Sequence, residues 1–352
     1  MPAWPALALL IAMASSALPS GAAYAQVTGL TGGLSGIANY SGADRTQRLI
    51  DGAKKEGALT LYSSGTTEDI AAVTYAFEKK FGVPVKFWRA SSEDILRRAM
   101  TESRASRFDV DVADTAGPDM EALQREKLLQ PIVSPILADL IPQAVAPKRA
   151  WIMSRLNIFT AGANSNLITA ADTPKTYEDL ADRKWKGRLG IEADDVGWFL
   201  AVCGIMGEEK GLKLFRDIVA KNGMSVRKGH TLLANLVAAG EVPLALTLYG
   251  YRIDAMKKAG APITGIALPP VVALPNGMAV FRRAPHPHAA VLFADFFLGE
   301  GQRILAARSN VTTNTRVQPV PADLAFIDSG KLLDEGDKWS KLFNDTFAGG
   351  GR

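Results

Sequence analysis

Ala58-Leu59-Thr60-Leu61-Tyr62-Ser63-Ser64-Gly65-Thr66-Thr67 is the stretch that decides the fold. Its first half, Ala58 to Tyr62, is a short apolar run that reads as a buried strand. Ser63-Ser64-Gly65 breaks the run, and Thr66 or Thr67 offers the side-chain oxygen that caps a following helix. Ile70, Val73, Phe77 and Phe81 then recur at helical spacing as one apolar stripe, and Gly82 ends it. Val83 to Trp88 reads as the next strand, and Ser91 or Ser92 caps a second helix carrying Ile95, Leu96 and Met100. Phe108 to Val112 is predicted as a third strand. Asp114-Thr115-Ala116-Gly117 then turns into a helix with Pro118 at a favoured first position. Two βα units followed by a strand make one Rossmann-like α/β half.

The same grammar returns downstream. Leu189 to Ile191 reads as a strand, Asp194-Asp195 precedes an apolar helix from Val196 to Met206, and Leu212, Phe215, Ile218 and Val219 mark an amphipathic helix. Ser225-Val226 is a short strand, Thr231 is expected to cap a helix through Leu233, Leu236 and Val237, and Leu244 to Tyr249 is a buried strand. The chain of 352 residues is long enough for two such domains. Its 47% hydrophobic and 22% charged residues are an ordinary globular balance. The net charge of +4 is dispersed without a Lys/Arg block, which weakly favours an anionic ligand and gives no case for nucleic acid.

The N-terminus reads as an export signal. Residues 1–25 carry no charged side chain, Ala6 to Ala14 is an apolar run of signal-core length, and Ala23-Tyr24-Ala25 is a small-x-small cleavage site. Pro19, Ser20 and Gly21 break the run below the roughly 20 residues that a bilayer span needs. The basic segment that usually opens such signals is missing, since the first Arg is Arg45. Residues 26–43, rich in Gly, Ser and Thr, read as a flexible leader. The single cysteine, Cys203, lies in an apolar stretch and away from the cleavage site, which argues against both a disulfide and a lipid anchor. An exported chain without an anchor points to the periplasm.

Four corners between a strand and the next helix are candidate anion sites, because free backbone N–H groups and the positive helix end lie there. They are Ser63 to Thr67, Asp114 to Gly117, Asp194 to Trp198, and Gly229 to Thr231. Hydroxyls at Ser63, Ser64, Thr66, Thr115 and Thr231 are candidate donors, with plain helix capping as the competing role for Thr66 and Thr231. Asp195 and Trp198 belong to the third corner, and Trp88 and Trp198 are candidates to wall a ring-bearing ligand, against ordinary core packing. Arg252 has the fork geometry to grip a carboxylate or phosphate, against an exposed salt bridge. A hydrolase would need a nucleophile, base and orienter. No Gly-x-Ser-x-Gly elbow or His-Glu-x-x-His run occurs, so no catalytic residues and no cofactor are expected. His286 and His288 sit in a Pro-rich helix start and read as structural; His230, beside the fourth corner, is the better metal candidate of the three.

From about Gly57 to Phe347 the chain resembles the periplasmic binding proteins of the ferric-iron, thiamine, phosphonate and sugar-phosphate uptake group. The resemblance rests on the order of several pieces. These are Leu61-Tyr62-Ser63-Ser64, Asp109-Val110-Asp111-Val112, Thr173 to Leu180, Trp185-Lys186-Gly187-Arg188, Ala239 to Pro243, Lys258 to Pro262, Ala284 to Phe293, and Trp339 to Phe343. It implies two Rossmann-like α/β lobes joined by crossing strands, with the ligand held in the cleft as in type II periplasmic binding proteins. The crossings fall near Asn157 to Asn164 and Val271 to Phe281. The expected division is 44–156 with about 275–352 as lobe 1 and C-terminal helices, and 157–274 as lobe 2. The implied partners are a small-molecule or metal ligand and an ABC permease of the inner membrane, with the binding protein a monomer; a sensory module docking to a receptor is the alternative.

Leu248-Tyr249-Gly250-Tyr251-Arg252 lies where ferric-binding relatives carry adjacent tyrosines. In extended chain, residues two apart face the same way, so both tyrosines can reach one site; in a helix they diverge. Fe³⁺, a hard cation, would be held by Tyr249, Tyr251 and Asp114. The relatives' histidine at the first strand's exit is replaced here by Ser63-Ser64-Gly65-Thr66-Thr67, and an aspartate stands for their usual glutamate. An oxyanion or small organic acid held by Ser63, Thr66, Thr115, Thr231 and Arg252 is the favoured expectation.

Overall fold

The computed structural model describes residues 33–146 and 150–348. The predicted signal peptide, 1–25, lies outside the described residues. The expected flexible leader ends sooner than 43. Helix α1 (Leu34–Ala38) buries Ala38 completely, and the Ala38 carbonyl accepts the Val133 N–H at 2.9 Å. Helix α2 (Arg45–Glu56) follows, with Leu49 and Ala53 facing the core.

The deciding stretch folds as read. Strand β1 (Leu59–Ser63) leads to α3 (Thr67–Phe81), whose N-cap Thr66 accepts the Asp69 N–H at 3.2 Å and whose C-cap is Gly82 at φ 71°. Ile70, Val73 and Phe77 are fully buried as one stripe. Strand β2 (Val85–Arg89) and helix α4 (Ser92–Arg104), capped by Ser91, complete the second unit. The third strand is displaced from its expected place: β3 spans Val112–Ala116 and runs into α5 (Gly117–Arg125). Just ahead of β3, Asp111 is held from both sides: its N–H donates to the Thr60 carbonyl at 3.0 Å, its carbonyl accepts the Phe281 N–H at 2.9 Å, and its buried carboxylate accepts the N–H groups of Thr60 and His286. Phe108 sits under the Arg283 guanidinium, 4.1 Å from its ring centre.

After the two-residue β4 (Leu129–Gln130), the long strand β5 (Ile152–Asn164) carries the chain into the second half. There β6 (Leu189–Glu192), α6 (Val196–Met206), α7 (Glu208–Asn222), β7 (Ser225–Arg227), α8 (His230–Ala239), β8 (Leu244–Tyr249) and α9 (Gly250–Lys258) follow in order. β9 (Ile263–Ile266) precedes β10 (Val272–Phe281), which returns antiparallel to β5. α10 (Pro287–Leu298), α11 (Glu300–Ala307), β11 (Val311–Thr312), β12 (Ala325–Phe326) and α12 (Ser329–Phe347) close the chain.

The main strand order is β2-β1-β3-β10-β5-β8-β6-β7. β2, β1 and β3 are mutually parallel, as are β8, β6 and β7, and the antiparallel β10–β5 pair joins the two parallel sets. These are the two lobes and the crossing strands. One apolar cluster surrounds Leu61, Phe77 and Phe293, and another Trp185, Trp198 and Phe215. The C-terminal helix departs from its expected place with lobe 1. Trp339, Phe343 and Phe347 of α12 pack edge-on against Phe199 of lobe 2, at ring-centre distances of 5.9, 5.7 and 5.1 Å. Their spacing of four residues puts all three on one helix face, which joins the apolar cluster of lobe 2, while the first turns of α12 lie along α5 of lobe 1, where Arg125 pairs with Asp334.

Candidate ligand-binding cleft

Each crossing strand presents alternate residues to the gap between the lobes. Arg155 and Asn157 come from β5, and Leu274 and Asn276 from β10; with them a cavity of about 270 Å³ is built. Lobe 1 contributes Ser64, Gly65 and Thr66 at the start of α3, Ser91 and Ser92 at the start of α4, and Ala116 at the start of α5. Lobe 2 contributes Tyr249 and Tyr251 from the β8–α9 junction, and Asn310 and Asp69 complete the wall. Three helix N-termini therefore border one hollow. Each carries a partial positive charge of about half a unit.

Of the residues expected at the site, Ser64, Thr66, Tyr249 and Tyr251 line this cavity. Ser63 lies just beneath, fully buried: its hydroxyl donates to Asp114 at 2.6 Å and accepts the Gly65 N–H at 3.0 Å. Asp114 is not free to serve a metal. It accepts from Arg155 Nη2 at 2.7 Å as well as from Ser63, within a wall where it is 1% exposed. Thr115 is buried in β3, off the cavity lining, with its hydroxyl unpartnered. Trp198 is packed into the lobe 2 core against Tyr177 and Phe215, which corrects its assignment to the ligand. Thr231 neither caps a helix nor lines the cavity, because Gly229, at φ 102°, takes the N-cap position and His230 is the first helical residue. Arg252, whose Nε is buried without a partner, is not among the cavity-lining residues, and Arg155 supplies the guanidinium there.

Sequence reasoning missed Arg155, Asn157, Asn276 and Asn310 and took Ser91 and Ser92 as caps alone. A usable signal was present for the first. Arg155 is the one charged residue within an otherwise mostly apolar crossing strand, and a buried charge there needs a partner or a ligand. Arg155 Nε and Asn276 Nδ2 are buried donors without a protein partner.

The lobe 2 side has a different character. Both expected anion corners there are already filled by Glu192, whose carboxylate accepts the N–H groups of Asp194 at 2.6 Å and Gly229 at 2.7 Å. Asp195 is buried beside His230, at 3.1 Å. The Tyr249 ring lies face to face with His230 (centres 4.1 Å apart, planes 17°) and near-parallel to Tyr251 (5.8 Å, 14°). The two tyrosines thus stay on one side although α9 has begun at Gly250. Burial, with the Asp195, Tyr251 and Glu192 charges, pushes the Tyr249 phenol well above its ordinary range. Burial also raises Tyr251, against the pull of Arg155 and Arg252. Burial raises the Asp195 carboxyl; for His230 the neighbouring carboxylates outweigh burial and raise it. Cys203 is buried and its thiol is pushed up to about 12 by burial first, leaving it unreactive.

Two lobes hinged on paired crossing strands, with a polar cavity at the strand tips, define a solute-binding protein. The chain belongs to the family described as bacterial extracellular solute-binding protein, whose profile matches residues 72–326. It is 24% identical over 313 residues to Iron uptake protein A1 of Synechocystis, covering 84% of this chain and 85% of that protein. It is also 24% identical over 309 residues to the Fe(3+)-binding periplasmic protein of Serratia marcescens, covering 80% and 90%. Among solved structures, iron-bound HitA from Pseudomonas aeruginosa superposes with a TM-score of 0.70 at 24% identity, over 82% of this chain and 99% of that one. AfuA from Actinobacillus pleuropneumoniae with fructose-6-phosphate bound gives 0.68 at 21%, over 83% and 99%. These likenesses establish the type II binding-protein fold. Among the described residues no helix is long and apolar enough to cross a membrane.

Proposed function

We propose that the protein is the periplasmic solute-binding component of an ABC importer and that its cleft closes on a small anion, a carboxylate or an oxyanion such as a phosphate ester. The observation that carries this reading is the pair of buried, unpartnered donors on the cavity floor, Arg155 Nε and Asn276 Nδ2. An unmet buried donor costs about 1–3 kcal/mol, which an acceptor oxygen of the ligand recovers. The starts of α3, α4 and α5 add oriented N–H groups and the hydroxyls of Ser64, Thr66, Ser91 and Ser92 around the same hollow. Lobe closure would bring Tyr249 and Tyr251 over the bound anion, and the loaded protein would deliver it to an inner-membrane permease, a role that membership of the family supports.

A second reading, ferric iron carried together with such an anion, is favoured by one observation: Tyr249 and Tyr251 line the cavity with near-parallel rings. Both phenols are held protonated by burial. A trivalent cation must therefore supply the energy to ionise them, and Asp114 would have to leave Arg155 to join. Several relatives are named for iron, whereas AfuA is described with a sugar phosphate. Thermal unfolding of metal-free protein with citrate, phosphate esters, phosphonates, thiamine and ferric citrate separates these cases, since a ligand of the native state raises Tm with its concentration. The anion reading expects shifts with metal-free anions. Shifts only with ferric citrate, together with a visible tyrosinate–iron band, would establish the second reading instead; no shift with any of them would remove both.

A further inference from the structure

Beside the cleft, on lobe 2, three side chains from two connections converge: Glu192 at the end of β6 and Asp195 at the start of α6, which share one connection, and His230 at the start of α8. One donor atom of each lies within 4.8 Å of the others. Glu192 is 2% exposed and Asp195 5%, so two carboxylates are withdrawn from water in one place, beside an imidazole and the neutral Thr247 hydroxyl. Desolvated carboxylates need a cation. Among the described residues no lysine or arginine is paired with either: Lys228 reaches the exposed Asp194 instead.

The contact between His230 and Asp195 is itself unlike a hydrogen bond. Nε2 stands 3.1 Å from Asp195 Oδ1, yet Nε2 has no hydrogen-bond partner, and Asp195 Oδ2 is likewise buried and unpartnered. Two donors about 2.1 Å from a shared ion sit roughly 3.0–3.4 Å apart without pointing at one another. The surrounding groups fix the donors as metal sites require. Glu192 is held by the Asp194 and Gly229 N–H groups, leaving a lone pair on each oxygen, and the Tyr249 ring lies flat against the imidazole.

We propose that Glu192, Asp195 and His230 form a binding site for a first-row transition-metal ion. Two carboxylates and one imidazole are a borderline-hard donor set suited to Zn²⁺ and Co²⁺, and three protein ligands leave coordination positions open. The site reverses the sign of the lobe 2 corners: backbone N–H groups that would greet an anion instead steady a carboxylate that greets a cation. It is independent of what lobe 1 holds.

The test is a Co²⁺ titration of the EDTA-treated full chain followed by visible absorption, with Zn²⁺ as competitor. One Co²⁺ per chain, a ligand-field band and its loss on adding Zn²⁺ are expected. Asp195→Asn and His230→Gln should each weaken Co²⁺ binding at least tenfold with an unchanged circular-dichroism spectrum. If Asp195→Asn fails to fold, the partly exposed His230 still carries the test through His230→Gln. Wild-type protein that binds neither metal, or a folded His230→Gln variant that binds as wild type does, overturns the assignment. Anion binding, measured in metal-free protein, stands or falls separately.

Discussion

Asp114→Asn should loosen the apo protein and tighten its grip on anions. In the wild type Arg155 spends its charge on Asp114, 2.7 Å away in a wall where both are almost fully buried. The amide keeps the shape and can still accept from Ser63, but it leaves the guanidinium uncompensated. Breaking a buried pair from one side costs about 3–5 kcal/mol, and that loss should appear in urea unfolding of the ligand-free protein. The substitution also removes the carboxylate that repels an anion in the cavity. For an anion seated about 6 Å from Asp114, an effective dielectric of about 20 makes that lost repulsion about 3 kcal/mol, or roughly a hundredfold in affinity. Burial of the pair limits screening, so the gain should persist at about 0.15 M salt. Isothermal titration with the tightest anion of the panel reads the affinity, and unfolding with and without that anion reads the stability. The ligand should stabilise the variant more than the wild type. A folded Asp114→Asn protein with unchanged or weaker anion affinity would refute the placement of Arg155 at the ligand.

Asp119, near the start of α5, offers a test by pH. Its carboxyl is raised to about 6, by burial first and by the Glu93 charge, against its own backbone N–H. Below about 4 the group is protonated in both folded and unfolded chains and contributes nothing. Between about 4 and 6 only the unfolded chain ionises, so stability falls as pH rises, and the penalty is complete above 6. Asp119→Asn should therefore raise stability at pH 7.5 by about 1–2 kcal/mol, below the ceiling of about 3 kcal/mol because the side chain is part-exposed, and leave it unchanged at pH 3.5. Equal gains at both pH values would show that ionisation is not the cause. Trp339→Ala should cost about 3–5 kcal/mol in urea unfolding, because a fully buried ring between α12 and α6 is lost. Anion affinity of the folded fraction should not change; a cost below about 1 kcal/mol would mean that α12 does not hold lobe 2 together.

Much of lobe 1 was legible because its signals are local. A cap such as Thr66 and a stripe such as Ile70, Val73 and Phe77 act within a few residues, and the structure returns both. The apolar helix from Val196 to Met206 was legible for the same reason. Ser64 and Thr66 could be placed at the site because strand tips and helix starts attract anions whatever the rest of the chain does. Tyr249 and Tyr251 came from the resemblance, and i, i+2 spacing allowed both to face one hollow.

What failed was decided at a distance. Thr115 and Ser63 carry the right chemistry, but Asp114 and Arg155, 41 residues apart in sequence, meet and draw Ser63 inward. Trp198 is pulled into a core made partly by Phe215 and Tyr177. The lobe 2 corners lost their affinity for anions because Glu192 reaches the backbone of Gly229, a contact between separate connections that no local pattern encodes. By itself the sequence determined most of the strands and helices, since periodicity and capping are short-range, though not α1 or the bounds of β3. Only the folded chain decided which polar groups are satisfied inside and which remain for a ligand, because hydrogen bonds and ion pairs are exclusive and their partners are assigned by packing.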